Sequence, residues 1–340
     1  MHRAAIVTIL SLVGLFSPPH TARADTVADF YSGKVISLII ASGEGGYDAY
    51  GRLFARHLHK HIPGNPKVIP QQMPGAGGLQ GVNHIYNVAP RDGSVIGLVR
   101  RGAIIAHITQ PGAARFDIKK INWLGNIAAE LPVAVSWRTS RVKTFDELRR
   151  SEHIVGGTGT SSVHETTPRL FNALLDTKYK IVGGYKGSGD LDLAMERGEI
   201  EGVAYDSWSN VKIRKGDMLR SGLVFVPLSF GLERNPDLPN TPFALDYASN
   251  EEDKQLMKVF FAQDAAARPM VAPPGIPEDR LDALRAAFMA LGNDAEFLTD
   301  AEKSLLMLGL GDHHYMGKIV EMVAATPPAL AQRLNQITSP

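Results

Sequence analysis

The chain has 340 residues and a formal net charge of +1, from 36 basic and 35 acidic side chains. The two signs are mixed along the sequence, so neither nucleic acid nor an anionic membrane surface is indicated as a partner. Cysteine is absent, which excludes disulfides, thiolate metal ligands and a cysteine nucleophile.

The beginning of the chain has the pattern of a signal peptide at residues 1–24. Two polar residues, one of them Arg3, precede an apolar run over 4–16, which is too short to span a bilayer stably. The triplet ending at Ala24 is Ala-Arg-Ala, as signal peptidase requires. We therefore expect cleavage after Ala24, a mature chain that begins at Asp25, and a periplasmic location; the alternative is a retained membrane anchor.

A strand, a glycine-rich turn and a helix follow one another at the start of the mature chain. The apolar run 36–41 predicts a strand buried on both faces, and the apolar residues from Tyr50 to Leu58 recur at helical spacing. Such a turn collects free backbone N–H groups and the positive end of a helix dipole at one point. The segment around Gly45 and Gly46 therefore predicts a site for an anion such as a carboxylate or phosphate.

Short apolar strands then alternate with helical patterns along the rest of the chain. The predicted strands are 95–99, 154–155, 200–205, 224–228 and 269–272, and the predicted helices are 79–88, 144–150, 163–176, 189–197, 278–291, 295–309 and 327–337. Thr144 and Glu147 have the spacing of a capping box at one helix start. The alternation predicts an α/β protein with mainly parallel sheets.

The loops between these elements are too short for a flexible interdomain linker. We therefore expect two lobes that share strands across a waist, with crossings near 125–126 and 261–265. Lobe 1 would comprise 25–125 plus 265–340, and lobe 2 would comprise 126–264.

Four glycine-rich turns stand where strands should end, at 43–46, 75–78, 156–162 and 183–189. Ligands bind beyond the carboxyl ends of strands in open α/β sheets, and glycine lets the main chain approach them closely. The four turns predict a ligand that is held mainly by backbone amides. A nucleotide is disfavoured, because the first turn reads G-x-G-x-x-D and no G-K-[ST] motif exists.

Candidates for catalysis and metal binding are weak. Ser161 and Ser162 lack the second glycine of a nucleophile elbow and are better explained as the start of a helix. His57 and His61 share a helix face without a carboxylate pattern, so a solvated surface helix is favoured over a metal site. No catalytic residue, cofactor or metal is predicted.

Several motifs in order along the mature chain carry a family resemblance. They are G-G-Y-D at 45–48 with Arg52-Leu53, P-G-A-G-G at 74–78, A-P-R-D-G at 89–93, G-T-G-T-S-S-V-H at 157–164, Y-K-G-S-G-D at 185–190 and A-P-P-G-I-P at 272–277. The set resembles the periplasmic solute receptors of tripartite tricarboxylate transporters, the Bug or TctC-like proteins. Two departures from the family pattern are Glu44 and Tyr47, in the first turn.

The resemblance implies a type II periplasmic-binding-protein fold of the Venus-flytrap kind, with a mainly parallel sheet in each lobe. Such a receptor binds a carboxylated metabolite between its lobes and delivers it to a membrane permease. Amides and ordered water of the first turn would hold the carboxylate, while Asp48 would brace that turn or begin its helix. We expect a monomer that does not bind nucleic acid.

The ligand-binding residues are predicted from the first turn, the strand ends and the second-lobe motifs. They are Gly45, Gly46, Tyr47, Asp48, Gly77, Arg100, Thr158, Thr160, Ser161, Ser162, Tyr185, Lys186, Ser188 and Asp206. Arg100 and Arg101 follow a strand end, where they either meet an anionic ligand or form an exposed pair. Lys186 either pairs with a distal carboxylate or is a solvated loop lysine.

Two other functions stay open on the sequence. One is a serine-dependent α/β hydrolase or transferase that uses Ser161 or Ser162, and the other is a ligand sensor for a signalling partner. The sequence does not identify the ligand as a mono-, di- or tricarboxylate, an aromatic acid or an amino acid.

Overall fold

The computed structural model describes residues 26–43, 46–128, 130–159 and 162–339. Within them the chain forms two β-sheets surrounded by helices. The strands are β1 (Val35–Ile40), β2 (Lys67–Gln72), β3 (Val95–Leu98), β4 (Asn122–Ala128), β5 (Pro132–Trp137), β6 (His153–Gly156), β7 (Tyr179–Val182), β8 (Gly202–Ser207), β9 (Val224–Ser229), β10 (Ala267–Ala272) and β11 (Gly311–Asp312).

Helices cover both sheets. The α-helices are α1 (Val27–Tyr31), α2 (Gly46–His57), α3 (Leu79–Asn87), α4 (Ala106–Thr109), α5 (Phe145–Arg150), α6 (Val163–Leu174), α7 (Ser188–Glu196), α8 (Trp208–Arg220), α9 (Glu251–Ala265), α10 (Glu278–Ala290), α11 (Ala295–Lys303), α12 (His313–Ala324) and α13 (Pro328–Thr338). None of the helices in the described residues is long and apolar enough to cross a membrane. The predicted signal peptide lies outside the described residues.

The first sheet has the strand order β11-β4-β10-β3-β1-β2. β1 pairs in parallel with β2 and β3, whereas β10 runs antiparallel to β3 and β4, and β11 runs antiparallel to β4. Ile36, Leu38 and Ile40 of β1 are fully buried, as expected for a strand covered on both faces. Phe54 of α2 stacks on Phe288 of α10 at 5.7 Å in the same core.

The second sheet has the order β7-β6-β8-β5-β9. β6 pairs in parallel with β7 and β8, and β5 runs antiparallel to β8 and β9. The predicted α/β class is thus correct, but both sheets are mixed rather than mainly parallel. The strand before β5 is β4, in the first sheet, and the strand before β10 is β9, in the second sheet. No βαβ crossover within one sheet therefore fixes the direction of β5 or β10.

The chain passes from the first sheet to the second between β4 and β5. β4 stays in the first sheet as far as Ala128, so the crossing follows this strand, a few residues after the predicted position near 125–126. The chain returns to the first sheet where α9 ends at Ala265 and β10 begins at Ala267. The last helix, α13, contacts both α4 and α6. The division into lobes at residues 125 and 265 stays a prediction.

Local signals at helix ends were informative with one exception. Thr144 Oγ1 accepts the Glu147 N–H at 3.3 Å, and Glu147 Oε2 accepts the Thr144 N–H at 3.0 Å, which confirms the capping box. The helix predicted over 295–309 is wrong at its end, because α11 stops at Lys303. Leu305 has a φ of 54°, a left-handed conformation that a helix does not continue through.

Candidate functional site

A cavity of about 150 Å³ lies between the two sheets, where residues from both contribute to its walls. We call it the arginine cleft. It is lined by Tyr47, Arg100, Arg101, Glu130, His164, Ser188, Tyr205, Asp206, Ser207, Asn210, Ala267 and Arg268.

Arg100 is the exposed cation of the cleft. It follows β3, and its guanidinium lies 5.5 Å from the ring centre of Tyr47. Among the described residues it has no carboxylate partner, since no ion pair involves it. A guanidinium without a carboxylate is free to bind an incoming anion, and its planar fork matches a carboxylate.

Arg101 is held in a buried polar network. Its Nη1 lies 3.2 Å from Asp264 Oδ1 and also donates to the Tyr205 hydroxyl. Tyr205 in turn donates to Asp264 Oδ1 at 2.9 Å, and the Arg101 backbone N–H donates to the Tyr47 hydroxyl at 3.2 Å. The network joins the end of β3, strand β8 and helix α9, so it links elements on both sides of the cleft.

Burial has the largest effect on the pKa of Asp264, the carboxyl group of this network. It raises the pKa of Asp264 to about 6, although Arg101 and Tyr205 act in the opposite direction. The carboxyl group is 1% exposed, and its Oδ2 has no hydrogen-bond partner among the described residues. A carboxylate without a full set of donors is costly to keep charged in the interior.

Arg268 forms the third cationic group, on β10. Its Nη1 donates to Glu130 Oε1 at 2.5 Å, and its guanidinium lies 4.5 Å from the ring centre of Tyr50. Tyr50 is fixed by a 2.7 Å hydrogen bond from its hydroxyl to the Met307 carbonyl. The charge of Arg268 is therefore largely neutralised by Glu130.

The opposite wall carries a neutral imidazole and a carboxylate that is already paired with a lysine. Thr158 bonds His164 Nδ1 through its hydroxyl at 2.9 Å. Burial, with the charges of Arg101 and Lys215, lowers the pKa of His164 to about 4, so this imidazole is neutral near pH 7. Asp206 accepts from Lys215 Nζ at 2.6 Å; burial nevertheless raises the pKa of Asp206.

Two helices begin at this wall. Ser188 is the first residue of α7, and Ser207 is the N-cap of α8, where its side chain accepts the Asn210 N–H. Both serines line the cleft. The positive ends of these helix dipoles and their free N–H groups favour an anion between them and Arg100.

The structure brings together some of the predicted site residues. Tyr47, Arg100, Ser188 and Asp206 line the arginine cleft, and Gly46 lines the cavity next to it. The predictions for Gly45, Thr160 and Ser161 fall outside the described residues. The remaining predicted residues do not line the cleft among those described: Asp48, Gly77, Thr158, Ser162, Tyr185 and Lys186.

The residues beside the cleft have local roles. Asp48 accepts from Arg52 at 2.7 Å and from Gln72 at 2.7 Å, and these hydrogen bonds lower its pKa, as expected for a residue that braces the turn. The Lys186 side chain is exposed, and its backbone N–H donates to Asp190 Oδ2 at 3.1 Å. Gly77 has a φ of 66° in a tight turn.

Two further predicted residues that do not line the cleft, Ser162 and Tyr185, belong to segments around the second sheet. Ser162 is the N-cap of α6, and its Oγ is buried without a hydrogen-bond partner among the described residues. Tyr185 packs against the hydrophobic core of the second sheet.

Sequence reasoning missed much of the cleft. The second-wall residues Tyr205, Ser207 and Asn210 come from the junction of β8 and α8, and α8 was not predicted. Glu130 lies between β4 and β5, two strands that were also not predicted. A signal was present for Arg268, since it stands inside a run of apolar residues where a charge needs a partner.

The histidines of α2 and its extension are less solvated than predicted. His57 is 5% exposed, and its Nε2 lies 2.9 Å from Asp300. With Asp294 and Glu296 it could place ligand atoms around a metal ion. However, Lys60 Nζ lies 3.2 Å from His57 Nδ1 and pairs with Glu296, so an ammonium group already neutralises this cluster.

Comparisons with known proteins place the fold. No family model matches the chain, and no curated protein matches it. Among solved structures, a TctC solute-binding protein from Polaromonas has a TM-score of 0.68 at 16% identity, covering 90% of this chain and 99% of its own.

Two further structures contain carboxylates. An R. palustris protein with adipate has a TM-score of 0.62 at 16% identity, covering 90% of this chain and 97% of its own. MatC from Rhodopseudomonas palustris with bound malate has a TM-score of 0.59 at 18% identity, covering 90% and 99%. The resemblance predicted from the motifs is thus confirmed at the level of structure: the chain has the two-lobed fold of the TctC-type solute-binding proteins.

Proposed function

We propose that this protein is a non-catalytic periplasmic receptor, which binds a small carboxylate in the arginine cleft and delivers it to a membrane permease of the tripartite tricarboxylate type. The observation that carries the proposal is Arg100. It has no carboxylate partner among the described residues, and it shares the cleft with the serines at the starts of α7 and α8.

The charges of the cleft favour an anion over a cation. Arg101 and Arg268 are each paired with a buried carboxylate, and Asp206 is paired with Lys215. Arg100 is left as the uncompensated charge among the described lining residues. A carboxylate bound there would complete the charge balance of a partly desolvated site.

The fold supports the same class of ligand. Adipate and malate accompany two of the structures that this chain resembles, and both are carboxylates. The proposed delivery to a permease and the proposed periplasmic location are supported by the same resemblance and by the signal peptide that the sequence predicts.

The serine-dependent alternative has little support from the described residues. Ser162 stands at the N-cap position of α6, but its Oγ has no hydrogen-bond partner among the described residues, so no base contacts it there, and His164 Nδ1 bonds Thr158 instead. A histidine with a pKa of about 4 is a weak general base near neutral pH, where catalysis favours a pKa close to the working pH.

A thermal-shift screen of mono-, di- and tricarboxylates and aromatic acids tests the proposal. A ligand at a hundredfold excess over its Kd stabilises the folded state by about 2.7 kcal/mol. Arg100→Gln should weaken binding of every active carboxylate, whereas Arg91→Gln should not, since Arg91 is an exposed arginine outside the cleft. Failure of all carboxylates at millimolar concentration, or equal affinity in both variants, would refute the proposal.

The permease requires a separate test. Cells that lack this protein should lose uptake of the ligand found in the screen, and Arg100→Gln should fail to restore it. Normal uptake without the protein would remove the transport part of the proposal and leave the binding part intact.

A further inference from the structure

We propose that the ligand is an amphiphilic monocarboxylate, with its carboxylate in the arginine cleft and an apolar tail that extends along a groove to the surface. This inference rests on the proposed function and adds the chemical class of the ligand. Its first support is that the cleft does not end at Arg100.

A second cavity, which we call the middle cavity, adjoins the arginine cleft. It has a volume of about 220 Å³ and shares Glu130, Asn210 and Arg268 with the cleft. Each cavity alone is smaller than the roughly 300 Å³ at the lower end of small-molecule sites. They adjoin at the Glu130–Arg268 pair and Asn210, and we infer that a ligand occupies both.

The middle cavity leads to an apolar groove on the surface. The groove shares Ile213 and residues 305–308 with the middle cavity, and it adds Leu298, Ala301 and Glu302. Its walls come from α8, from α11 and from the segment after α11. Elements on both sides of the cleft thus contribute to the groove, as they do to the arginine cleft.

The side chains of the groove are unusually exposed for their type. Leu305 is 70% exposed, Ile213 48%, Met307 42% and Leu298 41%. These four are among ten exposed large apolar side chains in the described residues. Such a cluster, continuous with a binding cleft, indicates a surface that an apolar group covers.

The charges along this path disfavour a second carboxylate. In the middle cavity, Arg268 is already paired with Glu130 at 2.5 Å. In the groove, the charged residue among those described is Glu302, which would repel an anionic tail. The path therefore offers no free cation, in the described residues, for the far end of a dicarboxylate.

Chain length gives the sharpest readout of this arrangement. Each methylene that leaves water for an apolar surface should tighten binding about fourfold. Affinities for hexanoate, octanoate and decanoate should therefore increase in that order. Adipate and suberate should bind more weakly than hexanoate and octanoate, since their second carboxylate would have to enter the apolar groove.

Leu305→Asn is the matched test of the groove. Leu305 has a left-handed backbone with φ of 54°, which asparagine adopts more readily than leucine, so the variant should fold. We expect about tenfold weaker binding of decanoate and unchanged binding of butyrate. The control is Val88→Asn, because Val88 is 68% exposed and lines none of these cavities.

Isothermal titration calorimetry with these acids separates the two proposals. Affinity that does not depend on chain length, or tighter binding of dicarboxylates than of matched monocarboxylates, would overturn the amphiphile inference and leave a carboxylate receptor. Decanoate binding that is equal in Leu305→Asn and the wild type would also overturn it. Failure of both acid series would overturn the amphiphile inference, and only the further failure of the tricarboxylates and aromatic acids of the thermal-shift screen would refute the proposed function.

Discussion

Asp264 should make the protein less stable as the pH rises, and Asp264→Asn should remove that effect. The carboxyl group is 1% exposed and accepts a 2.9 Å hydrogen bond from Tyr205. Arg101 lies 3.2 Å from its Oδ1, while its Oδ2 has no partner among the described residues. Burial outweighs the attraction of Arg101, and the pKa of Asp264 is raised to about 6 from a reference value of 3.8.

The direction in which stability changes with pH follows from which state, folded or unfolded, binds the proton of Asp264. Between pH 4 and 6 the folded state holds a proton on Asp264 that the unfolded state has lost, so the free energy of unfolding falls as the pH rises. The contribution is fully present below about pH 4 and is lost above about pH 6. With about 1.4 kcal/mol for each pKa unit, the total change is about 3 kcal/mol.

Urea unfolding of the wild type and Asp264→Asn at a series of pH values isolates the buried network around this group, because the titrations of groups that do not interact with Asp264 cancel in the difference. Asparagine keeps an acceptor for Tyr205 and carries no charge. The variant should gain about 3 kcal/mol relative to the wild type between pH 4 and pH 7. The control is Asp217→Asn, because the Asp217 side chain is 94% exposed and lies outside the buried network.

If the difference in unfolding free energy between the wild type and Asp264→Asn did not change with pH, a raised pKa of Asp264 would be excluded. If Asp264→Asn instead became less stable than the wild type as the pH rises, the predicted sign of the effect would be wrong. That result would mean that Arg101 stabilises an ionised Asp264, and that the pair, rather than burial, controls this site.

Three further predictions concern other parts of the fold. Gly202→Ala should destabilise the protein by about 1–3 kcal/mol, because the added Cβ would lie 2.1 Å from the Val135 carbonyl oxygen. The control in chemical denaturation is Gly112→Ala, whose added Cβ meets open space. Equal stability of the two variants would contradict the close packing at Gly202. Thr144→Ala should cost about 1 kcal/mol by the loss of the capping box, which thermal unfolding would measure and an unchanged midpoint would exclude. A saturating ligand should decrease the radius of gyration in small-angle scattering by closing the lobes, and no change at confirmed saturation would indicate a rigid site.

The sequence predicted the fold where local signals agree with tertiary packing. The run from Ile36 to Ile40 is a strand because its side chains are buried on both faces, and Thr144 starts a helix because its hydroxyl replaces a missing backbone acceptor. The direction of β5 and β10 could not be predicted in the same way. It depends on how the chain crosses between the two sheets, which no local pattern encodes.

The site was predicted in part for the same reason. Arg100 and Ser188 follow a strand or begin a helix, positions that can be read locally. The partners that fix Arg101 cannot be read locally, since Asp264 is 163 residues away in sequence and Tyr205 is 104 residues away. Lys186 has a lysine's charge in a glycine-rich turn, but it is exposed and is not among the residues that line the cleft.

A crystal structure with the most strongly stabilising carboxylate bound would test the central claim most directly. We expect the carboxylate oxygens to lie between the two sheets, within hydrogen-bonding distance of the Arg100 guanidinium and of the N-terminus of α7 at Ser188. A ligand bound elsewhere, for example in the cavity lined by Tyr315 and Lys318, with the arginine cleft left to solvent, would contradict the proposal.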